Sequence, residues 1–350
     1  MPKAKRKTLP KDFEALLEKG DIAELENVFD FCEIDARGGY SKQTALAFDK
    51  CPDDLARWLV AQGADLSATD TWGDTPLHRR ARSRRNNINV LLELGADVNN
   101  GCSSVGTPLH AAADSHNPDH ARLLLEHGAH ANERNKEQLT PLELALRDCN
   151  NTDIENMVAL ARVLLDAGAE KTTRMKEFVE EIGKRFECHR SGFNRESVDA
   201  VSSALNILYE IFEVPPVARR QMHDGKSPVV VNAKTWESQH QELWNLLVPS
   251  SGPAAIVQGE VIRISGRISH ELEDNRGTNW DADFRMMADA FLLHVQGGKP
   301  LSPPDIAEAA AIVAEVKRKT GDTARMAQLA VKWVTQNPDP MKLKPPSYKR

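Results

Sequence analysis

Thr75-Pro76-Leu77-His78 returns as Thr107-Pro108-Leu109-His110, with Thr44-Ala45-Leu46 upstream and Thr140-Pro141-Leu142 downstream, at intervals of 31, 32 and 33 residues. A fixed period of this size decides the fold before any single element does, because it means one supersecondary unit stacked along the chain. A second marker keeps the same register: Gly63-Ala64-Asp65, Gly95-Ala96-Asp97, Gly128-Ala129-His130 and Gly168-Ala169-Glu170, each preceded by an apolar pair from Leu59-Val60 to Leu164-Leu165. Within each unit Thr accepts from the free amides of a helix start, Pro occupies a first turn where no N–H partner is lost, and Gly ends the next helix in the left-handed conformation. Each unit is therefore a helix pair plus a turn.

These residues resemble the ankyrin repeat, whose Thr-Pro-Leu-His signature and period of about 33 residues match at His78 and at His110, the latter followed by Ala111 to Ala113. The resemblance covers residues 11–173, counting the stretch from Phe13 to Leu25 as a degenerate cap ahead of four repeats. It departs from the family in three places. The hairpin glycine survives as Gly73, with Lys42, Val105 and Gln138 at the equivalent positions. Arg84 replaces the glycine between paired helices, and the fourth repeat carries extra residues around Asp148 to Asp153, read as a projecting loop. The resemblance implies a solenoid that binds another protein through its hairpin tips and concave helix face, and implies no chemistry.

Composition agrees with a folded chain. The 350 residues are 41% hydrophobic and 27% charged, which excludes collagen-like, mucin-like and wholly disordered readings. No window approaches the roughly 18 apolar residues of a membrane helix, and Met1 to Lys7 lacks the apolar stretch of a signal peptide, so the expected compartment is the cytoplasm, with no membrane contact. The five cysteines contain no Cys-x-x-Cys and read as reduced thiols. A net charge of −6 argues against a general nucleic-acid binder.

Beyond Arg174 the period stops and longer helical patterns follow. Val198, Val201, Leu205, Leu208 and Phe212 mark one helix behind Ser197; others are expected over 237–248, 254–273, 280–295, 303–319 and 323–336. Gly259 and Gly266 sit opposite the apolar stripe of the second of these, where close approach of a neighbouring helix is expected. Arg219 to Asn232 reads as a loop. The fold class is all-α: a basic disordered start (1–10), an ankyrin-repeat solenoid (11–173), a helical domain (174–336) and a disordered basic tail (337–350).

The sharpest anomaly is Arg79-Arg80-Ala81-Arg82-Ser83-Arg84-Arg85, five arginines in seven residues where the family places alanines and a glycine. Arg79 and Arg82 share a helix face that in the family lines the groove, so their forks would meet carboxylates of a partner with an acidic patch; Arg80, at an alanine position, is read as snorkelling. The bland alternative is a solvated face paired with acids of adjacent repeats. The candidate partner-binding residues are Phe48, Trp72, Arg79, Arg82, Arg84, Arg85, Asp114 and Arg147, with Trp72 in a hairpin tip. His78 and His110 are read as structural, and His116 with His120 as lying in a loop at Asn117-Pro118, without the companions a zinc site needs.

No catalytic residue, metal or cofactor is expected, since no hydrolase elbow, phosphate loop or dinucleotide fingerprint occurs. The function expected is therefore that of a non-enzymatic adaptor or inhibitor. Two alternatives stay open: a bacterial immunity protein that occludes a toxin's active site, and an enzyme whose Glu260, Arg263, Arg267 and Glu271 surround a pocket in the helical domain.

Overall fold

A computed structural model describes residues 4–84, 87–190 and 195–350 of the chain. The contacts divide it into two compact units, Met1–Lys184 with Arg195–Pro216, and Arg185–Asn194 with Val217–Arg350.

The first unit opens with strand β1 (Arg6–Thr8) and the helix pair α1 (Phe13–Lys19) and α2 (Ile22–Phe31). Strand β2 (Cys32–Gly38) runs parallel to β1 and antiparallel to β3 (Gln43–Thr44). This small sheet stands where a disordered start was expected, because Leu9 is buried and its N–H reaches the Arg37 carbonyl. The first repeat then departs from the pattern: Ala45–Ala47 form a 3-10 turn ahead of α3 (Asp53–Ala61). Regular pairs follow as α4 (Pro76–Arg82) with α5 (Asn89–Glu93), α6 (Pro108–Asp114) with α7 (Pro118–Glu126), and α8 (Pro141–Asp148) with α9 (Ile154–Asp166). The leucines of the two sequence markers, among them Leu59, Leu77, Leu91, Leu109, Leu124, Leu142 and Leu164, are completely buried between successive pairs.

The unit does not stop at 173. Helix α10 (Thr173–His189), as far as Lys184, and α11 (Arg195–Phe212) carry the unit onward, α11 packing on α9 while Lys171 donates to the Ile211 carbonyl at 2.6 Å. Met175, Val179, Val201, Leu205, Leu208 and Phe212 are all buried. The reason is that a stacked array ends on an apolar face, and a closing helix pair covers it.

The second unit contains α12 (Trp236–Leu247), α13 (Val257–Glu273), α14 (Ala282–Val295), α15 (Pro303–Val316) and α16 (Thr323–Gln336), matching the expected helices to within a few residues. Helix α13 packs against α12, α14 and α16 and is buried nearly all round, so its polar residues Gln258, Glu260, Arg263 and Ser265 lie in the core. Those groups explain the fate of the tail. Residues 337–350 were expected to be disordered, yet Gln258 holds the carbonyls of Asn337 and Asp339 and the N–H of Met341. Tyr348, 6% exposed, donates its hydroxyl to Glu260 at 2.7 Å. Buried polar side chains need partners, and the tail supplies them. Among the described residues no helix is long and apolar enough to cross a membrane.

Candidate functional site

The repeat caps show what the signature residues do. Thr75 and Thr107 cap α4 and α6, and the histidine three residues on completes each capping box. His78 Nε2 lies 2.9 Å from the Gly106 carbonyl and His110 Nε2 lies 3.0 Å from that of Leu139, so both rings carry their proton on Nε2 and accept at Nδ1 from the threonine N–H. Each ring thus ties its own repeat to the next. Burial holds both below the ordinary imidazole range, leaving them neutral. Glu143 takes the same place in the third box, accepting from Thr140 N–H and from Thr172 Oγ1.

His116 and His120 do not lie in one loop. Asn117 caps α7 with Pro118 in its first turn, His116 stands in the left-handed conformation, and His120 is helical. Their ring nitrogens reach carbonyls on opposite sides, His116 that of Ala145 and His120 that of Ala81, each about one repeat away. Such rings do not converge on one point, and the described residues contain no metal-holding cluster.

The arginine cluster separates into distinct roles. Arg80 does not snorkel: it is 2% exposed and donates to the Leu46 carbonyl at 2.9 Å and the Cys51 carbonyl at 3.2 Å. The first repeat's helix is a single 3-10 turn, which leaves carbonyls free to receive the guanidinium. The adjacent Cys51 thiol is pushed up to about 11 by burial, so it offers no counter-charge. Arg82 donates to Asp74 at 2.8 Å and sits 3.4 Å from Asp114 without the angle of a hydrogen bond. Burial raises Asp114 above the usual carboxylate range against the pull of Arg82. Arg84 bonds the Ser115 carbonyl and Asp153, which turns the insertion in the fourth repeat into an anchor point. Arg147 holds Asp148 through two bonds at 2.8 and 2.7 Å and also pairs with Glu137. Arg85 lies outside the described residues.

Arg79 differs from these. Its nearest acids, Asp70 and Asp74, are 3.9 and 4.0 Å away, too far for a hydrogen bond, and its side chain is one-third exposed beside a cavity of about 270 Å3. Among the described arginines of the cluster it is the one whose guanidinium makes no hydrogen bond, although Arg82 Nε also lacks one.

Phe48 borders the same cavity as Arg79 but is largely buried in the cap. It is 4% exposed and meets Phe13 edge-on at 5.4 Å, because the 3-10 turn points it into the cap rather than along a helix face. Trp72 is 55% exposed on the tip closed by Asp70 and Asp74, its backbone N–H held by Asp70 Oδ1 at 2.8 Å. Tyr40 was missed: it is 95% exposed on the preceding tip, which Thr71 N–H ties at 2.9 Å to the Ser41 carbonyl. Its offset of one repeat from Trp72 was the available signal. The hairpins without glycine hold the same shape at a conformational cost, with Lys42 and Gln138 at φ 58 and 60.

In the second unit, Glu260 and Arg263 are ion-paired at 2.6 Å inside the core, and Glu271 accepts from Asn275 and Asn279. The structure does not gather them with Arg267 around one pocket.

The ankyrin repeat model (Ank_2) matches this chain at residues 43–135 and 101–175. Similar stretches occur in the Neurogenic locus Notch protein of Drosophila melanogaster, 39% identical over 103 residues, covering 29% of this chain and 4% of that protein. They occur also in Ankyrin repeat and SOCS box protein 5 of Mus musculus, 37% identical over 101 residues (29% and 30%). The BTB/POZ domain and ankyrin repeat-containing protein NPR5 of Oryza sativa subsp. japonica is 45% identical over 101 residues (28% and 19%). The chain spans less than a third of the length of each of these relatives. With the capped helix pairs, the bridging histidines and these matches together, residues 43–175 form an ankyrin repeat domain.

Proposed function

We propose that the chain is a cytoplasmic protein-binding protein without chemistry of its own, which captures a protein partner through its hairpin tips and the adjacent groove. The observation that carries this reading is the pair of exposed aromatic tips, Tyr40 and Trp72 one repeat apart, beside the fork of Arg79, which is paired only loosely, at 3.9 and 4.0 Å, with Asp70 and Asp74. Tyr, Trp and Arg dominate binding energy when they anchor a partner. The preferred partner presents an apolar pocket for a ring and a carboxylate for Arg79. Arg82, Arg84 and Arg147 already hold acids of this chain, so they support the surface more than they reach outward. The membership of the matched relatives in ankyrin-repeat proteins supports a protein partner in general.

The test is affinity capture from the native host, followed by titration of the captured protein against purified full-length variants. Trp72→Ala and Arg79→Glu should each weaken binding at least tenfold, about 1.4 kcal/mol, while Arg122→Ala leaves it unchanged. Equal binding by all four proteins would refute the assignment. An inhibitor of a toxin is the same reading with a narrower partner, recognised by loss of the captured protein's own activity on binding.

A further inference from the structure

The second unit contains a cavity of about 650 Å3, in the size range of small-molecule sites. One wall is an aromatic ladder. Trp236, His240 and Trp244 are spaced four residues apart on α12, so they share one face, and all three line the cavity. Trp244 stacks against His240 with ring centroids 6.3 Å apart. Gly266 of α13 makes this wall possible, because a Cβ there would overlap the Trp244 ring.

The wall is held in place. Ser265 Oγ donates to the Ile262 carbonyl at 3.0 Å and lies 3.0 Å from His240 Nε2, so the serine oxygen receives the ring N–H. Arg220 fastens the end of α12 by donating to the carbonyls of Trp244 and Asn245.

Arg267 lines the same cavity in a different condition. Its guanidinium is half-buried, makes no hydrogen bond or ion pair with the described residues, and feels the like charges of Arg263 and Arg350, offset in part by the carboxylate of Glu260. Burial, reinforced by Arg263, disfavours its charged form. Of the three acids on the cavity wall, Glu273 accepts from Thr323, Asp274 is paired at 2.7 Å with His270 on the same wall, and Glu237 is exposed at the start of α12. A half-buried cation without a partner gains more from an incoming anion than a solvated one does.

We propose that this cavity binds a small molecule joining a flat aromatic ring to an anionic group, the ring lying along Trp236, His240 and Trp244 and the anion on Arg267. An aromatic carboxylate and a nucleotide share that chemistry. The inference concerns the second unit and stands apart from the protein-binding reading of the repeats.

The test is calorimetric titration of the full chain with indole-3-acetate and with adenosine monophosphate, and with indole and acetate as half-probes. At least one of the two whole probes should bind with a Kd below about 1 mM, at least tenfold tighter than either half-probe, and the one that binds identifies the source of the anion. Arg267→Gln should weaken that binding at least tenfold. Trp236→Ala, at a half-buried position on the ladder, should weaken it as well, and the indole N–H resonances of Trp236 and Trp244 should shift during titration of the unsubstituted chain, which decides the matter should the arginine variant fail to fold. Absence of binding by both whole probes, or binding that survives both substitutions unchanged, would overturn the proposal.

Discussion

Acidification should loosen the repeat array through two buried rings. His78 and His110 are completely buried, and burial lowers the pKa of each below its unfolded value. In the unfolded chain they take up a proton near the ordinary histidine pKa of about 6.5. Below that pH the unfolded state binds more protons than the folded one, so their contribution to stability is complete above the unfolded pKa and falls as the pH drops towards the folded one. A ring held neutral throughout would lose about 1.2 kcal/mol between pH 7 and 5.5, which sets a ceiling of about 2.5 kcal/mol for the two together. The structural cause is that a second ring proton would displace the threonine N–H bond at Nδ1.

Urea unfolding followed by circular dichroism across this pH range measures the loss directly. His240 and His294 are also lowered by burial, so the decisive comparison is with the double variant His78→Gln/His110→Gln. That variant should be less stable at pH 7 and should show a shallower dependence on pH, by up to about 2.5 kcal/mol over the range. An unchanged slope would refute the argument that these rings are held neutral by the repeat stack.

Two further substitutions probe the buried polar contacts. Arg80→Ala should cost about 3 kcal/mol, because it leaves the carbonyls of Leu46 and Cys51 unsatisfied and opens a cavity; a neutral or stabilising result in chemical denaturation would show that the buried charge outweighs its bonds. Tyr348→Phe should cost about 1–3 kcal/mol, since Glu260 loses its hydroxyl partner while remaining in the core. A thermal melt unchanged by that substitution would mean that the tail does not hold the second unit.

The candidate site was partly legible. The register located Trp72 on a tip and Arg79 and Arg82 on one face, but it could not say which arginine keeps free donors. That depends on acids brought close through space: Arg84 meets Asp153 from 69 residues away, and Arg82 meets Asp114 of the following repeat. Phe48 does border the cavity beside Arg79, but its burial in the cap was not legible, because the register assumes a full helix where this repeat has one 3-10 turn. Arg267 was visible as one of four charged residues on α13. Its place on the cavity wall, which Glu260 and Arg263 do not share, depends on how α12 and α13 pack.

Local periodicity by itself determined the repeats, their caps and the helices of the second half, because capping and amphipathic burial act within a few residues of chain. Only the tertiary structure decided the closing pair α10 and α11, the docking of residues 337–350 and the division of the arginines into buried, hydrogen-bonded and loosely paired. Those outcomes turn on unsatisfied apolar faces and buried polar groups finding partners far away in sequence, and no local pattern encodes where such partners will arrive.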